Sequence, residues 1–223
     1  GLGELLADLA GAIMFGPCLR FALYQIATTP DLEETPSEKN DYYPPWGYRL
    51  QKIEKLHETS VVSLAQVLEQ SGFDHAVEHV NHFLEEISNF TAINIQDLLE
   101  SWPASVRYPY EVIEGELGKL ESWVRTKIGE LQYSADPQRL ADFCRDLDAG
   151  LPPVLEECLE QKPADFRDIL NAGWLYLITR LKETAACLEN GVSEYRTGRR
   201  KLDLLILKAI ESSYLLEQHI PKR

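Results

Sequence analysis

"DILNAGWLYLITRL" at residues 168–181 and "LDLLILKAIESSYLL" at residues 202–216 are strongly apolar stretches in the last third of the chain. When each is drawn as a helix, apolar side chains cover most of its circumference, which is typical of a buried helix. We expect the two helices to pair at the centre of the fold. Strand-like alternation is almost absent elsewhere, so the sequence predicts an all-α protein. The expected architecture is an irregular bundle of about eight to ten helices, in a single domain over residues 1–223.

Proline and glycine residues mark where the helices begin and end. The first helix is expected over 2–27, with a bend at Gly16-Pro17, because proline lacks an amide donor. Residues 28–45 combine proline, acidic residues and turn formers, which predicts an exposed loop. Further helices are expected over 46–70, 73–90, 93–102 and 110–131, with helix starts at Pro137, Pro152-Pro153 and Pro163. In the helix over 110–131, the residues expected to face inward are Val112, Leu117, Leu120, Trp123, Val124 and Ile128.

The net charge of −14 at pH 7 restricts the classes of partner. Nucleic acids are bound through Lys and Arg that displace counterions from phosphates, so a nucleic-acid partner is not expected. An anionic membrane surface is disfavoured for the same electrostatic reason. No uninterrupted apolar run approaches the roughly 18 residues that a spanning helix needs, so we expect no membrane span.

The cysteine pattern is typical of a reducing compartment. Cys18, Cys144, Cys158 and Cys187 form no C-x-x-C pair, and each lies among apolar residues of a predicted helix. Buried, reduced thiols are the expected state of such residues in a cytosolic protein. We therefore expect a cytoplasmic location.

Two acidic residues in the first predicted helix are candidates for a functional site. Glu4 and Asp8 are four residues apart, which places both carboxylates on one helix face, about one turn apart. A carboxylate among apolar residues is costly to bury unless it is paired with a cation or bound to a metal. The alternative is that these are ordinary acidic residues at a helix N-terminus, where they complement the helix dipole.

The Glu4-x-x-x-Asp8 spacing resembles the E-x-x-x-D element of gluzincin zinc metallopeptidases, the thermolysin-like class. Two neighbouring segments are similar to segments of uncharacterised metallopeptidase-like proteins: ADLAGAIMFGP at 7–17, and the Pro-Pro-x-x-x-Arg stretch of YYPPWGYRL at 42–50. The second segment departs from that pattern at Tyr43, where these proteins often carry a histidine. The resemblance covers about fifty residues and includes no H-E-x-x-H, the motif that supplies two histidine ligands and the general base.

The resemblance implies roles for both acidic residues. Glu4 would be the third zinc ligand, and Asp8 would orient a ligand histidine. It also implies that the chain is the helical C-terminal portion of a longer metallopeptidase-like protein and is not catalytic alone. Its partner would be an upstream catalytic segment of the same protein. No cofactor is then expected in this fragment, whereas the intact protein would bind zinc.

Two alternatives stay open on the residues. His75, Glu78 and His79 spell H-x-x-E-H, an inverted zinc motif. In a helix over 73–90, however, His75, His79 and His82 fall opposite the apolar stripe, which predicts a solvated face. The alternative function is a non-enzymatic helical module for interaction or oligomerisation, including a homodimer, because an acidic surface with unusually apolar helices fits that class equally well.

Overall fold

A computed structural model describes residues 2–27, 44–54, 56, 58–90, 94–157, 162–181 and 191–219. Within these ranges the chain forms ten α-helices and one short antiparallel strand pair, which confirms the all-α prediction. The helices are α1 (Leu2–Phe15), α2 (Pro17–Ala27), α3 (Trp46–Glu54), α4 (Glu58–Gln70), α5 (Ala76–Phe90), α6 (Ile95–Ser101), α7 (Ala104–Ile128), α8 (Pro137–Asp148), α9 (Phe166–Tyr176) and α10 (Gly191–His219). The strands are β1 (Leu155–Glu157) and β2 (Lys162–Pro163). A 3₁₀ turn at Gly129–Leu131 follows α7, and a π-helical turn at Leu177–Leu181 follows α9.

These elements form two compact units, each with its own apolar core. The first unit consists of Gly1–Glu58 and Leu84–Ser134, and the second of Thr59–Phe83 and Ala135–Arg223. The single-domain organisation over residues 1–223 stays a prediction. The buried apolar cluster of the first unit includes Leu5, Leu9, Ala12, Tyr48, Leu50, Ile53, Leu99, Trp102 and Tyr110. That of the second unit includes Leu64, Leu68, Phe73, Leu140, Phe143, Leu147, Ile169, Ala172 and Leu175.

The expected bend at Gly16-Pro17 is a complete break between α1 and α2. Gly16 has a φ of 74°, a left-handed conformation that favours glycine, and its amide donates to the Ala12 carbonyl at 3.0 Å. Pro17 then occupies the first position of α2, where its missing N–H costs nothing. The Tyr133 ring lies against Gly16 in the space a Cβ would occupy, and the Tyr133 amide donates to the Ile13 carbonyl at 2.9 Å.

The single helix expected over 46–70 is wrong, because this stretch forms the separate helices α3 and α4. Leu50 and Ile53 of α3 are buried in the core of the first unit, whereas Leu64 and Leu68 of α4 are buried in that of the second. The two halves of the predicted apolar stripe are therefore buried in different cores. Hydrophobic periodicity does not show where one core ends and the other begins.

The expected exposed loop at 28–45 falls largely outside the described residues. Only Pro44 and Pro45 are described, and both are buried, so the expectation is wrong for these two. Pro45 also accepts the Arg49 amide through its carbonyl at 3.1 Å, which closes the first turn of α3.

The inward face of α7 differs from the predicted one. Tyr110 and Val124 are buried, but Val112 and Trp123 are 49% and 54% exposed, so the expectation for these last two is wrong. The helix starts at Ala104 rather than near 110, with Pro109 inside it, and packs against α1. The face of α7 that reaches the core is centred on Leu117, and Val112 and Trp123 lie well away from it at 100° per residue.

In the second unit, one helix start predicted from proline positions is correct and two are wrong. Asp136 caps α8 by accepting the amides of Gln138 and Arg139 at 3.0 and 3.2 Å, and Pro137 begins the helix as predicted. The helix starts expected at Pro152-Pro153 and Pro163 are wrong, because these prolines flank or join the antiparallel strands β1 and β2. The next helix, α9, begins at Phe166 instead.

The pairing of the two apolar stretches in the last third is confirmed within the second unit. α9 packs on α10, and a Cβ at Gly173 would come within 2.7 Å of the Ile206 Cδ1 atom, so the Ile206 side chain lies directly against the α9 backbone. On α10, Leu202 and Ala209 are buried, and Ser213 donates through its hydroxyl to the Ala164 carbonyl at 2.5 Å. The opposite face of α10 is exposed, so the expectation of a buried helix is correct for one face of α10 and wrong for the other.

Two further sequence expectations concern cysteines and membranes. Cys18 and Cys144 are buried free thiols, and burial raises the pKa of the Cys144 thiol. Cys158 and Cys187 lie outside the described residues. Within the described ranges, every helix is too short or too polar to cross a bilayer.

Glycine substitutions in the first unit separate backbone strain from steric overlap. Gly16→Ala should lower the free energy of unfolding by more than about 2 kcal/mol, because it adds left-handed strain to overlap with the Tyr133 ring. Gly129 has a φ of 53°, a ψ of −121° and open space around it, so Gly129→Ala should cost the backbone strain alone, about 1–3 kcal/mol.

Gly118→Ala, inside α7 with open space around it, is the matched control. It should stabilise the protein by about 0.5–1 kcal/mol. Urea unfolding followed by circular dichroism measures all three variants. Equal effects of the Gly16 and Gly129 substitutions would contradict the close Tyr133 contact.

Candidate functional site

Glu4 and Asp8 both lie on α1, but in different surroundings. Asp8 is 5% exposed, between the core residues Leu5 and Leu9, whereas Glu4 is only partly buried. The four-residue spacing places the two carboxylates on one face of α1, as expected from the sequence. The structure brings Asp8 to a cation of the same chain rather than to a set of metal-ligating side chains.

That cation is the guanidinium of Arg49 on α3. Its Nε donates to Asp8 Oδ2 at 2.6 Å and its Nη2 to Asp8 Oδ1 at 2.7 Å, and Arg49 is 7% exposed. The guanidinium also lies over the Trp46 ring, 4.2 Å from its centroid. Two parallel charge-assisted bonds fix the orientation of the carboxylate, and the aromatic face covers the cation.

This pair connects the two segments that carry the metallopeptidase resemblance. Asp8 belongs to the E-x-x-x-D element, and Arg49 is the arginine of the Pro-Pro-x-x-x-Arg stretch. Tyr42 and Tyr43 lie outside the described residues, whereas Pro44 through Arg49 are described, and Trp46 among them covers the Arg49 guanidinium. The two motifs are therefore parts of one local structure.

A second buried pair joins α2 to the end of α3. Arg20 is 1% exposed, and its Nη2 donates to Glu54 Oε1 at 3.3 Å. Its Nη1 donates to the Glu54 carbonyl at 3.4 Å, and the Ser88 hydroxyl donates to the same carboxylate at 2.5 Å. Glu54 thus contacts groups from α2 and α5, and its carboxylate compensates the charge of the buried Arg20.

A third polar contact joins α3 to α7. The Tyr48 hydroxyl donates to Glu114 Oε1 at 2.6 Å, and Lys52 Nζ donates to Glu114 Oε2 at 2.7 Å. Burial, and then the hydrogen bond to Glu114, raises the pKa of Tyr48 far above its ordinary value. Burial raises the pKa of Tyr110, which packs edge-on against Tyr48 with ring centroids 5.2 Å apart, to about 12. Both phenols therefore stay protonated near neutral pH.

The spacing of polar residues in α3 explains these contacts. In WGYRLQKIE, Tyr48 and Lys52 are one turn apart and meet Glu114 together, and Trp46 and Arg49 are three apart and stack. Leu50 and Ile53 fill the remaining face toward the core. A nine-residue helix thereby contacts α1, α2 and α7 through separate faces.

Of the two histidines of the inverted motif, His75 is exposed on the second unit, whereas His79 is partly buried, so the solvated face expected from the sequence does not fully include His79. His75 precedes α5 with a φ of 61°, and its side chain is 67% exposed. His75 Nδ1 lies 3.4 Å from Glu78 Oε2, and the His75 and His79 rings are 6.3 Å apart. The motif straddles the start of α5, so the helical register that a zinc motif needs is not present across it.

A complete zinc site needs at least three protein ligands. Among the residues that the structure describes, no group of three or more His, Cys, Asp or Glu side chains is arranged to hold a metal ion. Glu4 offers one carboxylate, and Asp8 is committed to Arg49. A zinc site that used Glu4 would therefore need its other ligands from outside the described residues.

Sequence reasoning missed the partners of the buried charges. A carboxylate at position 8 among Leu5, Leu6 and Leu9 indicates a need for a cation or a metal. The sequence does not indicate that Arg49 meets this need, since the two residues are separated by 41 positions. Arg20 lies in an equally apolar stretch, so the sequence indicates that its charge also needs a partner.

The Asp8–Arg49 pair can be tested by removing one partner or both. Asp8→Asn leaves the Arg49 charge buried without its counter-charge and should lower the free energy of unfolding by about 3–5 kcal/mol. The double variant Asp8→Leu/Arg49→Met, which replaces the pair by apolar side chains of similar size, should lie within about 2 kcal/mol of the wild type.

Thermal and urea unfolding measure this cycle. Arg49→Lys is a useful third variant, because lysine keeps the charge but cannot reproduce the two parallel bonds, so it should be intermediate. The single variants Asp8→Leu and Arg49→Met complete the cycle; if their effects add up to that of the double variant, the two residues are not coupled and the ion pair does not constrain the fold.

Comparison of the chain with models of known protein families, with characterised proteins and with solved structures finds no match.

Proposed function

We propose that this chain is the helical C-terminal portion of a zinc metallopeptidase-like protein and is not catalytic on its own. Glu4 would contribute a carboxylate ligand, and Asp8 would orient a ligand histidine from an upstream catalytic segment of the same protein. The observation that carries the proposal is the bidentate Asp8–Arg49 pair. It joins the two segments that resemble metallopeptidases, and it does so at Asp8, the carboxylate that would orient the ligand histidine.

The geometry of the pair is compatible with that role. A carboxylate has about four lone-pair sites, and Arg49 occupies one on each oxygen. The remaining sites can accept the ring N–H of a histidine, which is how carboxylates commonly fix the tautomer of a zinc-bound imidazole. Because Arg49 holds both oxygens, the carboxylate cannot rotate away from this orientation.

Glu4 is placed where an external group could reach it. It lies one turn before Asp8 on the same face of α1, and it is only partly buried. In such a site the zinc, when bound, acts as a Lewis acid and lowers the pKa of a bound water. The residues of this chain would supply one ligand and keep one histidine correctly oriented.

Zinc content of the intact protein tests the ligand assignment. In the protein that carries its upstream segment, Glu4→Gln should lower the zinc bound per molecule at limiting free zinc, because the amide is a much weaker ligand than the carboxylate. Glu85→Gln on the exposed face of α5 is the matched control and should leave zinc content unchanged. Unchanged zinc content in the Glu4 variant, measured by plasma mass spectrometry, would overturn the assignment.

The orienting role of Asp8 needs a measurement that a purely structural role would not change. Asp8→Leu/Arg49→Met is expected to stay folded but to lower zinc affinity by about 10–100-fold, as loss of an orienting carboxylate does. Titration with a competing chelator measures that affinity. A double variant with wild-type zinc affinity would show that the pair serves stability alone.

A specific observation favours a second candidate function, that of a helical interaction or oligomerisation module. Leu204, Leu207, Tyr214 and Leu215 of α10 are between 53% and 66% exposed. Single exposed apolar residues are common, but a cluster on one helix face is typical of an interaction surface. This function needs no metal and no upstream segment.

A further inference from the structure

The outer face of α10 is an apolar stripe, formed by Leu204, Leu207, Tyr214 and Leu215, with Lys208 and Glu211 among them. At 100° per residue it lies opposite the buried face marked by Leu202 and Ala209. The stripe belongs wholly to the second unit.

The stripe has a nearly symmetric pattern about its midpoint, which falls between residues 209 and 210. Leu204 and Leu215 are eleven residues apart, close to three full turns, so they lie on one line along the helix. Leu207 and Tyr214 are seven residues apart, close to two full turns, and lie on a second line. A two-fold axis at the midpoint, perpendicular to the helix, would therefore bring Leu204 of one copy to Leu215 of another. The midpoint of Leu207 and Tyr214 falls one residue further along the helix, so these two side chains would meet with an offset of about two residues, roughly 3 Å.

Charge follows the same symmetry. Lys208 and Glu211 lie on either side of the midpoint, so the two-fold axis brings each toward the other residue of the second copy. In the antiparallel arrangement Lys208 of each copy faces Glu211 of the other, whereas a parallel pair in register would place Lys208 against Lys208 and Glu211 against Glu211.

The stripe itself carries one positive and one negative charge, so it is locally neutral in a chain of net charge −14. This removes the main electrostatic obstacle to contact between two copies at this place.

We propose that the chain forms a homodimer through this stripe, with α10 of one copy antiparallel to α10 of the other. A dimer of this kind is isologous, since the same residues form both sides of the interface. The inference gives the interaction-module function a surface and a partner. It is independent of the zinc proposal, because it uses neither Glu4 nor Asp8.

Sedimentation equilibrium of the 223-residue chain tests the proposal at an ionic strength of about 0.15 M, where the Debye length of about 8 Å screens the net charge. The wild type should show a concentration-dependent dimer in the micromolar range. Leu204→Glu should weaken dimerisation by roughly tenfold or more, because the change occurs at two symmetric places. Val112→Glu on the exposed side of α7 is the matched control and should have no effect.

Exchanging the charges of Lys208 and Glu211 tests whether a second copy of the chain binds the stripe. Lys208→Glu and Glu211→Lys should each weaken the dimer by about three- to tenfold, because like charges then face one another across the axis. The double variant Lys208→Glu/Glu211→Lys should restore wild-type affinity to within about threefold, since only a second copy carries the exchange on both sides. Circular dichroism melts show that each variant stays folded.

Three results would overturn the proposal. The first is a wild-type chain that stays monomeric at all concentrations, which would leave the stripe to a different partner. The second is a dimer that Leu204→Glu does not weaken, which would place the interface elsewhere. The third is a double charge variant no tighter than the single variants, which would exclude the antiparallel two-fold arrangement. None of these results changes the zinc content of the intact protein, so the two proposals fail separately.

Discussion

A buried carboxylate on α1 is the constraint on which the first unit depends. Asp8 lies within an apolar helix face, where an ionised group is stable only if a partner compensates its lost hydration. The partner is Arg49, which must approach with both nitrogens in the plane of the carboxylate. This requirement fixes the position of α3 against α1. Glu54, at the end of the same helix, compensates the buried Arg20 of α2 in a similar way.

The role of α3 follows from its length. A helix of nine residues has little stability of its own in water, because nucleation costs more than so few hydrogen bonds return. Its stability comes from contacts with its neighbours: the two buried ion pairs, the Glu114 contact of Tyr48 and Lys52, and the burial of Leu50 and Ile53. Polar contacts are directional, so they position the helix more sharply than apolar packing alone.

The sequence predicts well those features that depend on neighbouring residues. The break at Gly16-Pro17 and the Asp136 cap before Pro137 follow from local backbone chemistry, and both are present. It predicts poorly the features that depend on distant contacts. The division of 46–70 between two cores, the exposure of Trp123 and the strand at Pro163 all depend on partners that periodicity does not identify. The candidate site shows the same limit: the need of Asp8 for a partner could be predicted, but its identity could not.

The order of segments along the chain has a consequence for synthesis on the ribosome. The first unit is assembled from Gly1–Glu58 and Leu84–Ser134, and the second from Thr59–Phe83 and Ala135–Arg223. The helix pair around Leu64, Leu68 and Phe73 is therefore made before the residues that complete its core, which begin with α8. At a synthesis rate of about 5–20 residues per second, the apolar surface of this helix pair stays unpaired for several seconds before α8 is made. No single cut in the chain would separate two autonomous halves, so nascent protein must pass through a stage in which one core is complete and the other is half made.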